Sequence, residues 1–180
     1  MLTDLEREKA LGLLNRSRQT LLDSLEGVSE NQARWKPALE RWSILEYVEH
    51  LAISDDGLIA IIQRSLKMPA RPETEEQRRE RDAKLKQSPI PRGANRAPEI
   101  LQPHSRFASL AEAKAAFLNA RERSLEFARS CQDDIRSHFS DHDVLGPLDG
   151  YQWLMGNARH AETHAGHIRE LRGMPDFPQS

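Results

Sequence analysis

The chain has 180 residues, of which 30% are charged, and its formal net charge is −2. This length favours a single domain with its own core, and the balanced charge argues against nucleic acid as a partner. No apolar run approaches the ~20 residues that cross a bilayer, and the first residues lack the apolar core of a secretion signal. We therefore expect no membrane partner and a cytoplasmic location, with Cys131 as a reduced, half-buried thiol.

Four long amphipathic segments predict four helices, each opening with a capping-box spacing in which Ser, Thr or Asp precedes Glu or Gln by three positions. These boxes begin at Thr3, Ser43, Ser109 and Asp149. A fifth box at Ser29 predicts a short helix between the first two long ones. Gly27, Pro69 and Gly173 suit helix ends. No segment shows sustained alternation with β-branched residues, so the sequence predicts an all-α protein without strands.

The connection between the second and third long helices, residues 69–107, differs from the rest of the chain. It is charged at first and then rich in proline. Its run QRRERDAKLK predicts a solvated helical turn or two, and the remainder is expected to be extended. Acidic residues within this run favour a solvated surface over a nucleic-acid site. A connection of this length can cross a whole helical bundle.

Three histidines follow one another at helical spacing in the last predicted helix. At ~100° per residue, His160, His164 and His167 fall within ~60° of one another on the helix surface. Residues four apart have Cβ atoms ~5–6 Å apart, so His160 and His164 can both reach one small cation. Such a pair alone is a weak signal, but small alanines on the same face leave room for the rings.

A third candidate ligand, His50, lies at the edge of the apolar stripe of the second long helix, beside Tyr47. A half-buried structural histidine is the alternative interpretation. Combined across a bundle with His160 and His164, it gives three nitrogen ligands and an open position, which suits Zn²⁺ or Ni²⁺. His167 is expected to hydrogen-bond to one of the metal-binding residues or to line the cleft. The alternative is that it is itself a fourth metal ligand.

The other titratable residues are expected to have structural or solvated positions. Three further histidines fall in predicted loops: His104, His138 and His142. The alternative for the last two is closure over the cleft. Glu46 completes a capping box, whereas Glu49 and Glu162 point away from the candidate ligands and are expected to be solvated. No motif of a serine, cysteine or nucleotide-binding enzyme occurs.

Two stretches of the sequence resemble the signatures of the DinB-like family. From Trp35 to Leu51 the chain reads WKPALERWSILEYVEHL, which is similar to the first signature, in which WS-I-x-E-x-x-x-HL carries one metal histidine. The C-terminal stretch GPLDGYQWLMGNARHAETHAGHIREL resembles the second signature, which supplies two more in an H-x₃-H pair. The resemblance covers essentially the whole chain. One departure is His167, where the family usually has glutamine.

This resemblance implies a four-helix bundle with a long crossover between helices two and three. It also implies a divalent metal held by His50, His160 and His164, and a homodimer. Relatives include low-molecular-weight thiol S-transferases, a mycothiol-dependent maleylpyruvate isomerase and metal-dependent hydrolases. The expected activity is therefore metal-dependent chemistry on a small molecule through an activated thiol or water, with a low-molecular-weight thiol as partner. The alternatives are a stress-related bundle that binds metal or ligand without turnover, and a bundle for protein association.

Overall fold

A computed structural model describes residues 1–87, 97–143 and 145–179 of the protein. Its long helices are α1 (Asp4–Leu25), α3 (Ile44–Ser65), α5 (Leu110–Ser130) and α6 (Gly150–Arg172). A short α2 (Glu30–Arg34) follows α1, as the sequence predicted. Within the described ranges, no helix combines the length and apolar character that a bilayer crossing requires.

Capping explains why the helices begin where they do. Complete reciprocal boxes form at Thr3, Ser29, Ser43 and Asp149. The box predicted at Ser109 is incomplete. Its hydroxyl accepts the N–H of Glu112, but the Glu112 carboxylate accepts the N–H of Ala108 instead, at 2.8 Å. Ser109 is nevertheless the N-cap of α5, so the helix begins where the sequence predicts.

The four long helices form a bundle in which α1 packs against α5 and α6, and α3 packs against the same two helices. Each contributes to two apolar clusters, one at each end of the bundle. One cluster includes Leu21, Leu51, Phe117 and Ile168, and the other includes Leu14, Ile62, Leu125 and Leu154. This arrangement confirms the predicted four-helix bundle.

The relative directions of the helices explain the long crossover, residues 69–107, between α3 and α5. Successive residues of α3, Asp55 and Asp56, pair with Arg121 and Arg123 of α5. Since both helices also begin beside the same apolar cluster, they run parallel. Two parallel neighbours cannot be joined by a short turn, so the chain must return along the length of the bundle.

The crossover contains more helix than the sequence predicted. α4 (Glu75–Gln87) spans 13 residues, and a 3₁₀-helix follows at Glu99–Leu101. The predicted solvated helix is present but longer than one or two turns, and it contacts the bundle through buried Leu85 and through Arg81, which bonds to Asp149 at 2.8 Å. The extended part predicted around Pro89 and Pro91 lies outside the described residues.

The prediction that the chain has no strands was also wrong. β1 (Phe139–His142) and β2 (Gly146–Asp149) form an antiparallel hairpin before α6. Four residues are too few to show alternation, and the hairpin depends on tertiary contact. A Cβ on Gly150 would lie 2.6 Å from the Cβ of Ile135, so glycine is needed where the hairpin enters α6.

Candidate metal centre

The antiparallel pair α3 and α6 brings the three predicted ligands together. His50 Nε2 lies 3.0 Å from His160 Nε2, which in turn lies 2.9 Å from His164 Nε2. One ligand atom from each residue lies within 4.8 Å of the others. Two nitrogens that share an ion at ~2.1 Å each cannot be more than ~4.2 Å apart, and both short contacts satisfy this limit. We call His50, His160 and His164 the histidine cluster.

The proton positions in the histidine cluster favour a cation over a hydrogen-bonded network. His50 Nδ1 lies 2.7 Å from the carbonyl oxygen of Leu101, which can only accept, so this nitrogen carries the proton. A neutral His50 therefore presents a lone pair on Nε2. His160 Nε2 carries either one proton or one lone pair, so it can form a linear hydrogen bond with only one of its two neighbours. A cation that accepts all three lone pairs removes this deficit.

Burial keeps these imidazoles neutral. Desolvation lowers the pKa of His160 to about 3, and the neighbouring histidines lower it in the same direction. The same causes hold the pKa of His164 well below its usual value. Desolvation also lowers the pKa of His50, although its bond to the Leu101 carbonyl opposes the shift. Neutral imidazole is the form that binds metal, so these three rings could hold a cation.

The other two predicted site residues, His167 and Tyr47, border the histidine cluster. His167 Nδ1 lies 3.3 Å from His164 Nδ1, at the far side of the ring from the cluster. The Tyr47 ring centroid is 5.2 Å from that of His164. Trp42 adds a second aromatic wall, with its centroid 4.8 Å from that of His50. The cluster is thus bounded by aromatic rings, which limits the access of water.

The crossover supplies contacts that sequence reasoning missed. Glu49 is only 1% exposed, and its Oε1 accepts the backbone N–H groups of His104 at 2.7 Å and Arg106 at 3.2 Å. The prediction that Glu49 is solvated was wrong. Helical spacing gives the direction of a side chain correctly, but it cannot show that a distant segment covers that face. The only signal in the sequence was a carboxylate beside a candidate ligand.

The remaining histidines occupy three different environments. His104 is exposed on the crossover. His138 is half-buried, and its Nδ1 lies 2.8 Å from the carbonyl of Met68. His142 lies in β1 rather than in a loop, with its ring 5.2 Å from Trp153, and desolvation lowers its pKa. The expectation of a surface loop thus fails for His142.

A second buried polar group lies beside the histidine cluster, and we call it the arginine network. Arg121 donates to Asp55 at 2.6 and 3.0 Å, to Ser17 at 2.9 Å and to Asn157 at 3.4 Å. These residues come from all four long helices. Asn157 precedes His160 by three residues on α6, so the network holds the ligand-bearing helix in place. The sequence gave no sign of it, because an isolated charge on a helix usually faces solvent.

Comparisons with known proteins agree with this architecture. The sequence model of the DinB superfamily matches residues 13–168, a span that contains the whole histidine cluster. The chain is 24% identical over 162 residues to the uncharacterized protein YuaE of Bacillus subtilis (strain 168), covering 90% of this chain and 96% of YuaE. It also resembles the crystal structure of TT2238, a four-helix bundle protein, with a TM-score of 0.59 and 20% identity, over 91% of this chain and 98% of that one. At this identity the structural likeness shows the fold alone.

Proposed function

The chain belongs to the DinB superfamily, and on this premise we propose that it binds a divalent metal ion through the histidine cluster for chemistry on a small molecule. One observation carries the proposal. The Nε2 atoms of buried His50 and half-buried His160 and His164 meet at 3.0 and 2.9 Å with too few protons to bond to one another. Three imidazole ligands suit Zn²⁺ or Ni²⁺ and leave a coordination position for a further ligand.

The nucleophile in this proposal comes from outside the chain. The free thiol of Cys131 lies in the apolar cluster at the other end of the bundle, and burial raises its pKa. When bound, a divalent metal supplies Lewis acidity, which lowers the pKa of a thiol or a water. The resemblance to thiol S-transferases favours a low-molecular-weight thiol as the nucleophile, transferred to an electrophilic small molecule.

The chain's own residues have defined tasks in this chemistry. Leu101 fixes the protonated nitrogen of His50, and His167 contacts the outer nitrogen of His164. Trp42 and Tyr47 shield the cluster and leave an apolar wall for the substrate. No side chain of the protein has to act as the nucleophile, which agrees with the lack of a nucleophile motif in the sequence.

Metal content tests the binding step. Protein purified without added metal should hold about one Zn²⁺ or Ni²⁺ per chain by elemental analysis. His50→Ala and His164→Ala should lower this content at least tenfold while the helical circular dichroism is retained. His104→Ala is the matched control, because that ring is exposed, and it should leave the content unchanged. A metal-free wild-type protein that takes up no added ion contradicts the proposal.

Activity separates catalysis from binding alone. The metal-loaded protein is assayed with bacillithiol, mycothiol or glutathione and an epoxide or other electrophile, against the His164→Ala variant. Thiol consumption that requires His164 supports a transferase. Metal binding without turnover by any of the three thiols, and without hydrolysis, favours the alternative of a metal- or ligand-binding, stress-related protein.

A further inference from the structure

We propose that Glu49 is a positioning residue for the metal centre, acting through the crossover rather than through the metal. Glu49 holds the crossover against α3, and the crossover in turn presents the Leu101 carbonyl to His50. This inference rests on the proposed binding of metal by His50. The contact between Glu49 and the crossover can nevertheless be tested in metal-free protein.

Glu49 holds the backbone of the crossover through two hydrogen bonds. Its Oε1 accepts two N–H groups, from His104 and Arg106, and the side chain is buried. Ser105, between them, has φ of 58°, in the left-handed region. This turn directs two N–H groups into one concave anion site, which the carboxylate fills. Hydrogen bonds to a charged acceptor are about twice as strong as neutral ones.

This anchor lies next to the candidate metal ligand His50. His50 follows Glu49 directly on α3, and its Nδ1 bonds to the carbonyl of Leu101, three residues before His104. Leu101 ends a tight turn in which its own N–H bonds to the carbonyl of Pro98 at 2.8 Å. Two consecutive residues of α3 therefore hold one short, internally bonded stretch of the crossover.

Apolar burial contributes little to holding this stretch in place. The 3₁₀-helix at Glu99–Leu101 contains no buried residue, and Ile100 is 74% exposed. Polar contacts must therefore keep the Leu101 carbonyl opposite His50, and those made by Glu49 are buried and charge-assisted. Without them, His50 loses the acceptor that keeps its proton on Nδ1 and its lone pair directed at the metal.

This arrangement couples metal binding to the docking of the crossover. If docking sets the proton position of His50, it raises the affinity for metal. By thermodynamic linkage, metal must then stabilise the docked crossover to the same extent. Removing partners that orient metal-binding histidines typically lowers metal affinity by about 10–100-fold.

Zn²⁺ affinity, measured by competition with a chromophoric chelator, tests the coupling. Glu49→Ala should bind Zn²⁺ about 10–100-fold more weakly than wild type. Glu49→Gln keeps the oxygen that accepts both N–H groups and should recover most of the affinity. Glu99→Ala is the matched control, since that exposed carboxylate lies in the same segment, and it should leave the affinity unchanged. The visible absorption of bound Co²⁺ should change in Glu49→Ala and not in Glu99→Ala.

Two measurements on metal-free protein separate this inference from the proposed function. Nitrogen NMR should show the proton of neutral His50 on Nδ1 in wild type. In Glu49→Ala it should show a mixture of the two neutral tautomers, with the proton on either Nδ1 or Nε2. Hydrogen exchange of the His104 and Arg106 amides should be faster in the variant. If wild type binds no metal, the proposed function fails, whereas these two measurements still decide the positioning role.

The inference is overturned if Glu49→Ala changes neither the proton position of His50 nor the exchange of the two amides. It is also overturned if both change while the Zn²⁺ affinity stays at the wild-type value. Should Glu49→Ala fail to fold, Glu49→Asp replaces it, because it keeps the buried charge and shortens the reach by one methylene group.

Discussion

The histidine cluster lies between α3 and α6, and the arginine network joins all four long helices. The two regions differ in how their polar atoms are satisfied. In the arginine network, Arg121 donates to Asp55, Ser17 and Asn157 within the protein. In the histidine cluster, three nitrogens meet without enough protons to pair. A buried charge whose partners are protein atoms is expected to be structural, whereas lone pairs that converge without enough protons are expected to bind an ion. Mutations should therefore affect the two regions differently.

The largest effect on folding is expected in the arginine network. Arg121→Ala leaves the Asp55 carboxylate buried without its cation, and breaking such a pair costs about 3–5 kcal/mol of unfolding free energy. Chemical denaturation monitored by circular dichroism measures this loss. Arg123→Ala is the matched control, because it removes an exposed ion pair with Asp56 between the same two helices, and exposed pairs contribute little. Similar losses for both variants would show that the buried network has no special role in stability.

The histidine cluster should stabilise the fold only through its ion. A ligand that binds the folded state alone adds about 2.7 kcal/mol at a concentration of 100 times its Kd. We therefore expect Zn²⁺ to raise the melting temperature of wild type and to have no effect on His164→Ala. Calorimetry with and without a chelator measures the difference. If Zn²⁺ raises the melting temperature of His164→Ala as much as that of wild type, the ion binds at another site.

The same cluster should make the metal-free protein sensitive to acid. The folded pKa of His160 is about 3, below the usual value of 6.5, so the unfolded chain binds more protons at low pH. Stability is therefore fully present above the unfolded pKa and is lost as the pH falls below it. Denaturation at about pH 7.5 and pH 5 should show a decrease that is smaller in His160→Ala. An identical decrease in both proteins would assign the acid sensitivity to other groups.

The smallest effect is expected at the border of the cluster. His167 contacts the Nδ1 of His164, on the opposite side of the ring from the other two histidines. His167→Gln keeps a hydrogen-bonding group and should lower Zn²⁺ affinity less than tenfold, well below the effect of His50→Ala. Chelator competition measures both. A loss as large as that of His50→Ala would make His167 a ligand.

The sequence by itself determined the helices and the candidate ligands. Capping residues such as Ser43 and Asp149 act on atoms three residues away, and the spacing of His160 and His164 is set by one turn of helix, so both are local properties. The bundle with a long crossover was likewise predicted, from helical periodicity and the resemblance together. Metal binding by His50 with this pair stays a prediction, although the fold does bring the three residues together.

Only the tertiary structure decided what covers each face of the helices. The burial of Glu49, the carbonyl of Leu101 beside His50 and the four-helix contacts of Arg121 all join residues more than 35 positions apart. Helical spacing gives the direction of a side chain from its own helix and carries no information about the partner it meets. The hairpin before α6 escaped prediction for the same reason, because the close approach of Gly150 to Ile135 at its end is a tertiary contact that the sequence does not show.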